Sequence, residues 1–276
     1  MKEFILSLIS LLFLACASKD TDWENALSDN STEAYTHFLH KHNNSTYTTE
    51  ALDNISDCIT NTIWQDNLYG YSTNSIANQK LTVVKIGTQV WMVENLNVGH
   101  YRNGDPIPQV QDNDEWNSIT YGAWCYINND PEYGRIYGKL YNWYAVNDPR
   151  GLAPEGWHVP TDGEWKVLEN YLGMGQVDAD TTGRRGTDEG DKLKNHSGWV
   201  DNGNGSNSSG FSVLPGGWRR SSNGSFGLVG GSAYFWTSSE FSSSSAWSRS
   251  LYYNRAYISR GSRLKQGGYS IRLIRD

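Results

Sequence analysis

Hydrophobic residues follow a helical spacing near the N terminus of the chain and a strand-like alternation further on. From residue 21 onward, apolar side chains recur three to four positions apart, so residues 16–61 are predicted to form a small helical hairpin region. The polar stretch 62–80 is rich in Asn and Ser and predicts a linker. The strand signals lie in residues 81–276, which are therefore predicted to form the main domain.

Within the main domain, short runs of alternating apolar and polar residues indicate strands with one buried face. Gly87-Thr88 separates two such runs and predicts a two-residue hairpin loop of type II′. Ala246–Leu251 and Ala256–Arg260 predict two more strands around a turn. Thr161–Glu164 has the form of a capping box and predicts the start of a helix. Residues 176–210 are rich in Asp, Gly, Asn and Ser and are predicted to be mostly loop.

The C-terminal stretch from Arg249 to Arg275 is locally basic. Its last strand alternates Tyr269, Ile271 and Leu273 with polar residues, so we interpret the basic side chains as the surface of strands. Strands at both ends of the domain indicate that it closes on itself. The net charge of the chain is −7, which disfavours a nucleic-acid partner because binding phosphates requires a basic excess.

The composition points to the same class of fold. Aromatic residues make up 13% of the chain and apolar residues only 37%, and there are 28 glycines. Rings therefore fill much of the core, and the glycines indicate many turns. This combination favours a loop-rich β or α+β protein over a helical bundle.

The first residues resemble the signal of a bacterial lipoprotein. Phe4–Ala15 is an apolar run too short to span a bilayer as a helix. Because small Ala15 is followed by Cys16, the site resembles a lipobox, which predicts a signal peptide over residues 1–15 and a lipid on Cys16. The Ala-Ser-Lys-Asp-Thr-Asp that follows resembles an export signal of Bacteroidetes lipoproteins. We therefore expect an outer-membrane lipoprotein exposed at the cell surface, anchored to the membrane by its lipid; an ordinary cleaved signal peptide is the alternative.

Six sequence blocks of the main domain occur in the order of one known family. They are Val84–Leu96, Tyr137–Val146, Gly156–Trp165, Gly210–Arg219, Phe235–Glu240 and Tyr269–Asp276. Together they resemble the Fibrobacter succinogenes major paralogous domain, found in lipoproteins of Bacteroidetes and Fibrobacteres, over about residues 83–276. Upstream, the stretch that starts at Ser31 resembles a single tetratricopeptide-like helical hairpin.

The resemblance implies an α+β fold akin to C-type lectins and to the formylglycine-generating enzyme domain, with short antiparallel strands, few helices and long loops. It implies no established activity. Leu273 stands where the family often has Cys, so a family disulfide at that position is in doubt. Formylglycine-generating enzymes use a cysteine pair near the C terminus, whereas this chain has no cysteine after Cys125.

The residue types that carry catalysis do not form a recognisable set. Spacing pairs no two carboxylates, as a glycosidase requires. A structural hydrogen bond explains His158, and Cys125 is predicted to be a buried thiol, although Cys58 and Cys125 could also form a disulfide. We therefore expect a domain that is not an enzyme.

One loop has the composition of a calcium site. Asp201, Asn202 and Asn204 supply the oxygen ligands that Ca²⁺ takes, yet the loop lacks the EF-hand pattern. A structural calcium site and a solvated loop are the two alternatives here, and we expect no other metal or cofactor.

Aromatic residues concentrated late in the chain are the best candidates for binding. Trp218 with Arg219 and the turn that contains Tyr252 and Tyr253 combine rings with polar groups, and exposed rings stack on sugars and anchor protein interfaces. The sequence therefore predicts a surface-tethered, non-catalytic binding or adhesion lipoprotein that recognises a glycan or protein. The alternative is a structural cell-envelope component without a small ligand, and an enzyme of unknown type comes third.

Overall fold

A computed structural model describes residues 21–29, 32–42, 46–52, 54 and 82–276. The chain divides into two compact units, Met1–Tyr71 and Ser72–Asp276. The predicted signal peptide, Cys16, Cys58 and the predicted linker lie outside the described residues. Over the described ranges, no helix combines the length and apolar character needed to cross a membrane.

The first unit contains short helices, as the helical spacing predicts. Helix α1 covers residues 21–29, α2 is Thr32–Lys41 and α3 covers residues 48–52. Their buried side chains form a small aromatic core in which Trp23 stacks on Tyr47, with ring centroids 5.0 Å apart. The resemblance to a tetratricopeptide hairpin stays a prediction.

The second unit mixes short helices with antiparallel strands. Its strands are β1 (Val83–Ile86), β2 (Gln89–Met92), β3 (Trp124–Cys125), β4 (Leu140–Tyr141), β5 (Trp157–His158), β6 (Gly183–Arg185), β7 (Trp218–Arg219), β8 (Phe226–Gly227), β9 (Ser232–Ser242), β10 (Ser245–Tyr252), β11 (Ile258–Leu264) and β12 (Ile274–Arg275). Its helices are α4 (Asn113–Ser118), α5 (Pro131–Tyr137), α6 (Trp143–Val146), α7 (Asp162–Tyr171), α8 (Gln176–Asp180) and α9 (Glu189–Leu193), with a 3-10 turn at Ile127–Asn129.

Two four-stranded sheets organise this unit, in the orders β1-β2-β12-β5 and β6-β11-β10-β9, beside the pairs β3-β4 and β7-β8. The fold is therefore α+β, as predicted, while the likeness to C-type lectins stays a prediction. In the first sheet, β12 lies between β2 and β5, and Ile274 is opposite Trp91. The domain thus closes on itself as its terminal strands predicted.

The hairpin loop and the capping box predicted from neighbouring residues are both present in the structure. The β1-β2 hairpin turns at Gly87, whose φ of 62° suits the first central position of a type II′ loop. Helix α7 begins with the complete capping box of Thr161 and Glu164. The helix buries Trp165 and Leu168 in the main core, whose aromatic members include Trp91, Phe211 and Phe235.

One expectation about the C-terminal half is confirmed and one is wrong. The segment 176–210 is mostly loop, as predicted, and the short elements α8, β6 and α9 interrupt it. The basic residues of the last strands are not all strand surface: Arg249, Arg260, Lys265 and Arg272 are buried. Polar side chains can alternate with apolar ones and still be buried when each finds hydrogen-bond partners, and the guanidinium of Arg272 donates to main-chain carbonyls and to an asparagine.

Candidate functional site

Three buried arginines of the second sheet are bound to two carboxylates of α7. Arg185 binds Glu169 through both terminal nitrogens, at 2.7 Å each, and Arg249 Nε donates to the same carboxylate at 2.6 Å. Asp162 accepts from Arg249 at 2.7 Å and from Arg260 at 2.8 and 2.7 Å. Burial alone would raise the pKa of Asp162, but these guanidinium groups hold it well below its usual range. The arginines on this side of the sheet therefore hold α7 in place and are not available to a ligand.

The opposite side of the same sheet carries exposed groups. Arg184 is opposite Ser259, and Ser259 is opposite Ser250, so these three side chains lie on one side of β6, β11 and β10. Tyr252 lies two positions after Ser250, and Tyr257 lies two positions before Ser259. Because β10 and β11 are antiparallel, both tyrosines lie at the same end of this row. Alternation therefore places two half-buried tyrosines beside a floor of serines.

A cleft of about 600 Å³ is lined by this side of β6, β10 and β11 and also by Trp247, Arg260 and Ser262, which the register places on the other side. We call the following set of its lining residues the arginine–tyrosine face: Arg184, Ser250, Tyr252, Arg255, Tyr257, Ser259, Gly261 and Arg263. Phe241 and Trp247 also line the cleft and contact each other edge to face, with centroids 4.8 Å apart. Among the described residues that line it, none is acidic.

The exposed arginines of this face have few partners. Arg255 Nε donates to the Tyr257 hydroxyl at 3.0 Å, and the Arg184 guanidinium lies 5.9 Å from the Tyr257 ring centroid. Arg263 donates to the Ser262 carbonyl at 3.2 Å. In the described part of the chain none of the three forms an ion pair, and their hydrogen bonds use at most two of the five N–H donors of each guanidinium. The face thus presents unneutralised cations beside aromatic rings.

The sequence matches the Fibrobacter succinogenes major domain over residues 84–275, well over half of the chain. The protein belongs to this family. Comparison with curated proteins and with solved structures finds no match. Every strand of the arginine–tyrosine face lies inside the matched range, so the face is built by the Fibrobacter succinogenes major domain itself.

The structure connects two of the predicted binding residues of this Fibrobacter succinogenes major domain. Tyr252 belongs to the arginine–tyrosine face, and its hydroxyl lies 2.5 Å from that of Tyr234. Trp218 is half-buried and also packs on Tyr234, with ring centroids 5.7 Å apart. Trp218 and Tyr252 therefore belong to one row of rings, and Trp218 supports the cleft without lining it.

The other two predicted binding residues have structural roles. Arg219 is fully buried, and its guanidinium donates to the carbonyls of Val110, Gln111 and Gly224 at 2.6 to 2.8 Å. A side chain without exposed atoms cannot contact a surface ligand, so Arg219 is corrected from a binding to a structural residue. Tyr253 is half-buried and packs against the main core rather than on the face.

The three calcium candidates of this domain lie in and just after one exposed turn. Asp201 and Asn202 are exposed in left-handed backbone conformations, with φ of 50° and 57°. Asn204 Oδ1 already accepts from the Trp199 main-chain N–H at 3.0 Å. Within the described ranges, no group of three or more His, Cys, Asp or Glu residues could hold a metal ion.

His158 and Cys125 take the structural roles predicted for them. His158 Nδ1 is 2.6 Å from Asp276 Oδ1, and Nε2 is 2.7 Å from Glu164 Oε1. Burial disfavours the charged imidazole, but these two hydrogen bonds outweigh it and raise the pKa of His158. Cys125 is buried and free, and burial raises the pKa of its thiol to about 12. Cys58 lies outside the described residues, so its pairing stays open.

Sequence reasoning missed most of the arginine–tyrosine face. Tyr257 is one of the aromatic residues concentrated late in the chain, and Arg255 follows the turn of Tyr252 and Tyr253, whereas nothing in the sequence distinguishes Arg184 and Arg263. The usable signal is the period of two in β11 and its approach, where Tyr257, Ser259, Gly261 and Arg263 share one side. Which side is covered, however, depends on α7, and no local pattern reports that.

Proposed function

We propose that this protein is a non-catalytic binding module of the cell surface that holds a glycan on the arginine–tyrosine face. One observation carries the proposal: Tyr252 and Tyr257 lie beside a floor of Ser250, Ser259 and Gly261 in an exposed cleft of about 600 Å³. Aromatic rings stack on the apolar faces of sugars, and hydroxyls and guanidinium groups supply hydrogen bonds to sugar oxygens.

Binding without catalysis fits the state of the reactive groups. A catalytic histidine needs a free nitrogen, whereas both nitrogens of His158 are engaged by carboxylates. The thiolate is the reactive form of cysteine, and burial of Cys125 disfavours it. We accordingly propose neither an enzymatic activity nor a cofactor, nor a nucleic-acid partner.

A lipid on Cys16 would hold the module at the outer membrane, facing the medium. Replacement of this cysteine, Cys16→Ser, removes the thiol that the lipid needs. We expect labelled palmitate to be incorporated into the unmodified sequence and not into Cys16→Ser when each is expressed in the native host. Equal labelling of Cys16→Ser, or no labelling of either protein, would refute the proposed anchor while leaving the binding face untouched.

The binding proposal is tested on a glycan array with the mature chain and a Tyr252→Ala/Tyr257→Ala variant. Two stacking rings contribute about 1–3 kcal/mol together, so the variant should bind about 5- to 150-fold more weakly. Tyr171→Ala is the matched control, because Tyr171 is an exposed tyrosine of α7 outside the face. Thermal melts of each variant establish that it is folded.

Each result of the glycan-array experiment either supports or contradicts the proposed binding face. Glycan binding that is lost in the folded double variant and kept in Tyr171→Ala supports the proposal. Binding that survives in the double variant places the site elsewhere, and an array on which the folded protein binds no glycan rejects glycan recognition altogether.

A further inference from the structure

We infer that the ligand of the arginine–tyrosine face is an acidic polysaccharide, an inference that rests on the glycan-binding function proposed above. The chain as a whole has a net charge of −7. The face has the opposite sign, because it presents Arg184, Arg255 and Arg263, and no carboxylate lies among the described residues that line the cleft. A local cationic surface on an acidic protein selects anionic partners by charge complementarity.

The placement of the cations matches a charged sugar that stacks on a ring. Two of the guanidinium groups adjoin the same aromatic side chain: Arg184 lies 5.9 Å from the Tyr257 ring centroid, and Arg255 donates to its hydroxyl at 3.0 Å. A sugar stacked on Tyr257 would therefore bring a carboxylate or sulfate substituent within reach of their remaining N–H donors. Arginine suits such groups because its planar fork binds two oxygens at once.

The length of the face favours a polymer over a single sugar. Tyr257 and Arg263 are separated by six positions along extended chain, mostly in β11, which corresponds to about 20 Å. This distance exceeds the width of one sugar ring. Between the two ends, Ser259 and Gly261 leave the floor low, so several units can lie along the strand.

Nucleic acid would be the other polyanion to consider, and the overall charge argues against it. Nucleic acid carries a charge at every phosphate and binds proteins through a basic excess, whereas this chain is acidic outside the face. A polysaccharide with carboxylates or sulfates spaced along it needs only the few cations that are present.

The test compares polymers that differ only in charge. Polygalacturonate is paired with its fully methyl-esterified form, and dextran sulfate is paired with dextran, and binding of the mature chain is measured by calorimetry. We expect binding of at least one acidic polymer that is about tenfold or more tighter than that of its neutral partner, and that weakens as salt is raised. The two pairs distinguish a carboxylate ligand from a sulfate ligand.

The arginines are tested by Arg184→Gln/Arg263→Gln, which leaves Arg255 to hold Tyr257 in place. This variant should lose about tenfold or more of its affinity for the acidic polymer and keep its melting temperature. The control Lys85→Gln/Arg135→Gln removes the same charge from two exposed residues that do not line the cleft. Equal losses in both variants would show a general charge effect and overturn the inference.

Two further outcomes separate this inference from the proposed function. Equal binding of a neutral and an acidic polymer, with loss in Tyr252→Ala/Tyr257→Ala, would overturn the acidic ligand and keep the glycan-binding face. Failure of all four polymers and of the glycan array would reject both. Binding of a single-stranded oligonucleotide as tight as that of polygalacturonate would overturn the choice of a polysaccharide.

Discussion

Glu169 is the residue whose loss should harm the main domain most clearly. Its side chain is fully buried, and it accepts three hydrogen bonds of 2.6–2.7 Å from Arg185 and Arg249, which are buried too. Glu169→Gln keeps the size of the side chain but removes the negative charge and turns an amide NH₂ toward a guanidinium. Breaking a buried pair in this way costs about 3–5 kcal/mol, because Arg185 is left buried without its carboxylate, while Arg249 keeps only Asp162.

The assay is thermal unfolding of the mature chain by calorimetry, which separates the transition of the second unit from that of the first. For a domain of this size, 1 kcal/mol corresponds to about 2–4 °C, so the melting temperature should fall by about 6–20 °C. Glu132→Gln makes the same change at an exposed i,i+3 pair, with Arg135 at 3.0 Å, and should cost no more than about 0.5 kcal/mol. A loss in Glu169→Gln no larger than that of this control would refute the assigned role of the buried network.

Two further predictions concern the titratable groups. The pKa of His158 is raised in the folded protein, so its charged contacts with Asp276 and Glu164 stabilise the fold below the ordinary imidazole pKa and are lost as pH rises through the folded-state pKa. The difference in melting temperature between the protein and His158→Asn should therefore be larger at about pH 5.5 than at about pH 9, and a difference that grows with pH would contradict this. Cys125, buried and with its pKa raised to about 12, should resist iodoacetamide in the native protein and react after unfolding. Peptide mapping by mass spectrometry distinguishes it from the other cysteines, and native labelling of Cys125 would contradict its burial.

The sequence predicts the parts of this fold that depend on near neighbours. The Gly87 hairpin and the capping box of Thr161 and Glu164 each use groups within a few residues, so their patterns are complete in the sequence. The burial of arginines, in contrast, depends on partners that are far away in the sequence. Arg249 is bound by Glu169, which lies 80 positions earlier, and Arg219 is bound by the Val110 carbonyl, 109 positions earlier. An arginine next to serines looks the same in the sequence whether a distant carboxylate or carbonyl covers it or not.

The buried network also determines which arginines remain for a ligand. Arg184 and Arg185 are neighbours in β6, and because strand residues alternate, one faces the carboxylates of α7 while the other joins the arginine–tyrosine face. A shift of the strand by one residue would reverse the sides that Arg184 and Arg185 face, so Arg185 would leave the carboxylate of Glu169. The two ion pairs of Arg185 and Arg260 with α7 therefore stabilise one register of β6 and β11. In this way a set of contacts on the covered side of the sheet fixes the positions of the cations on the open side.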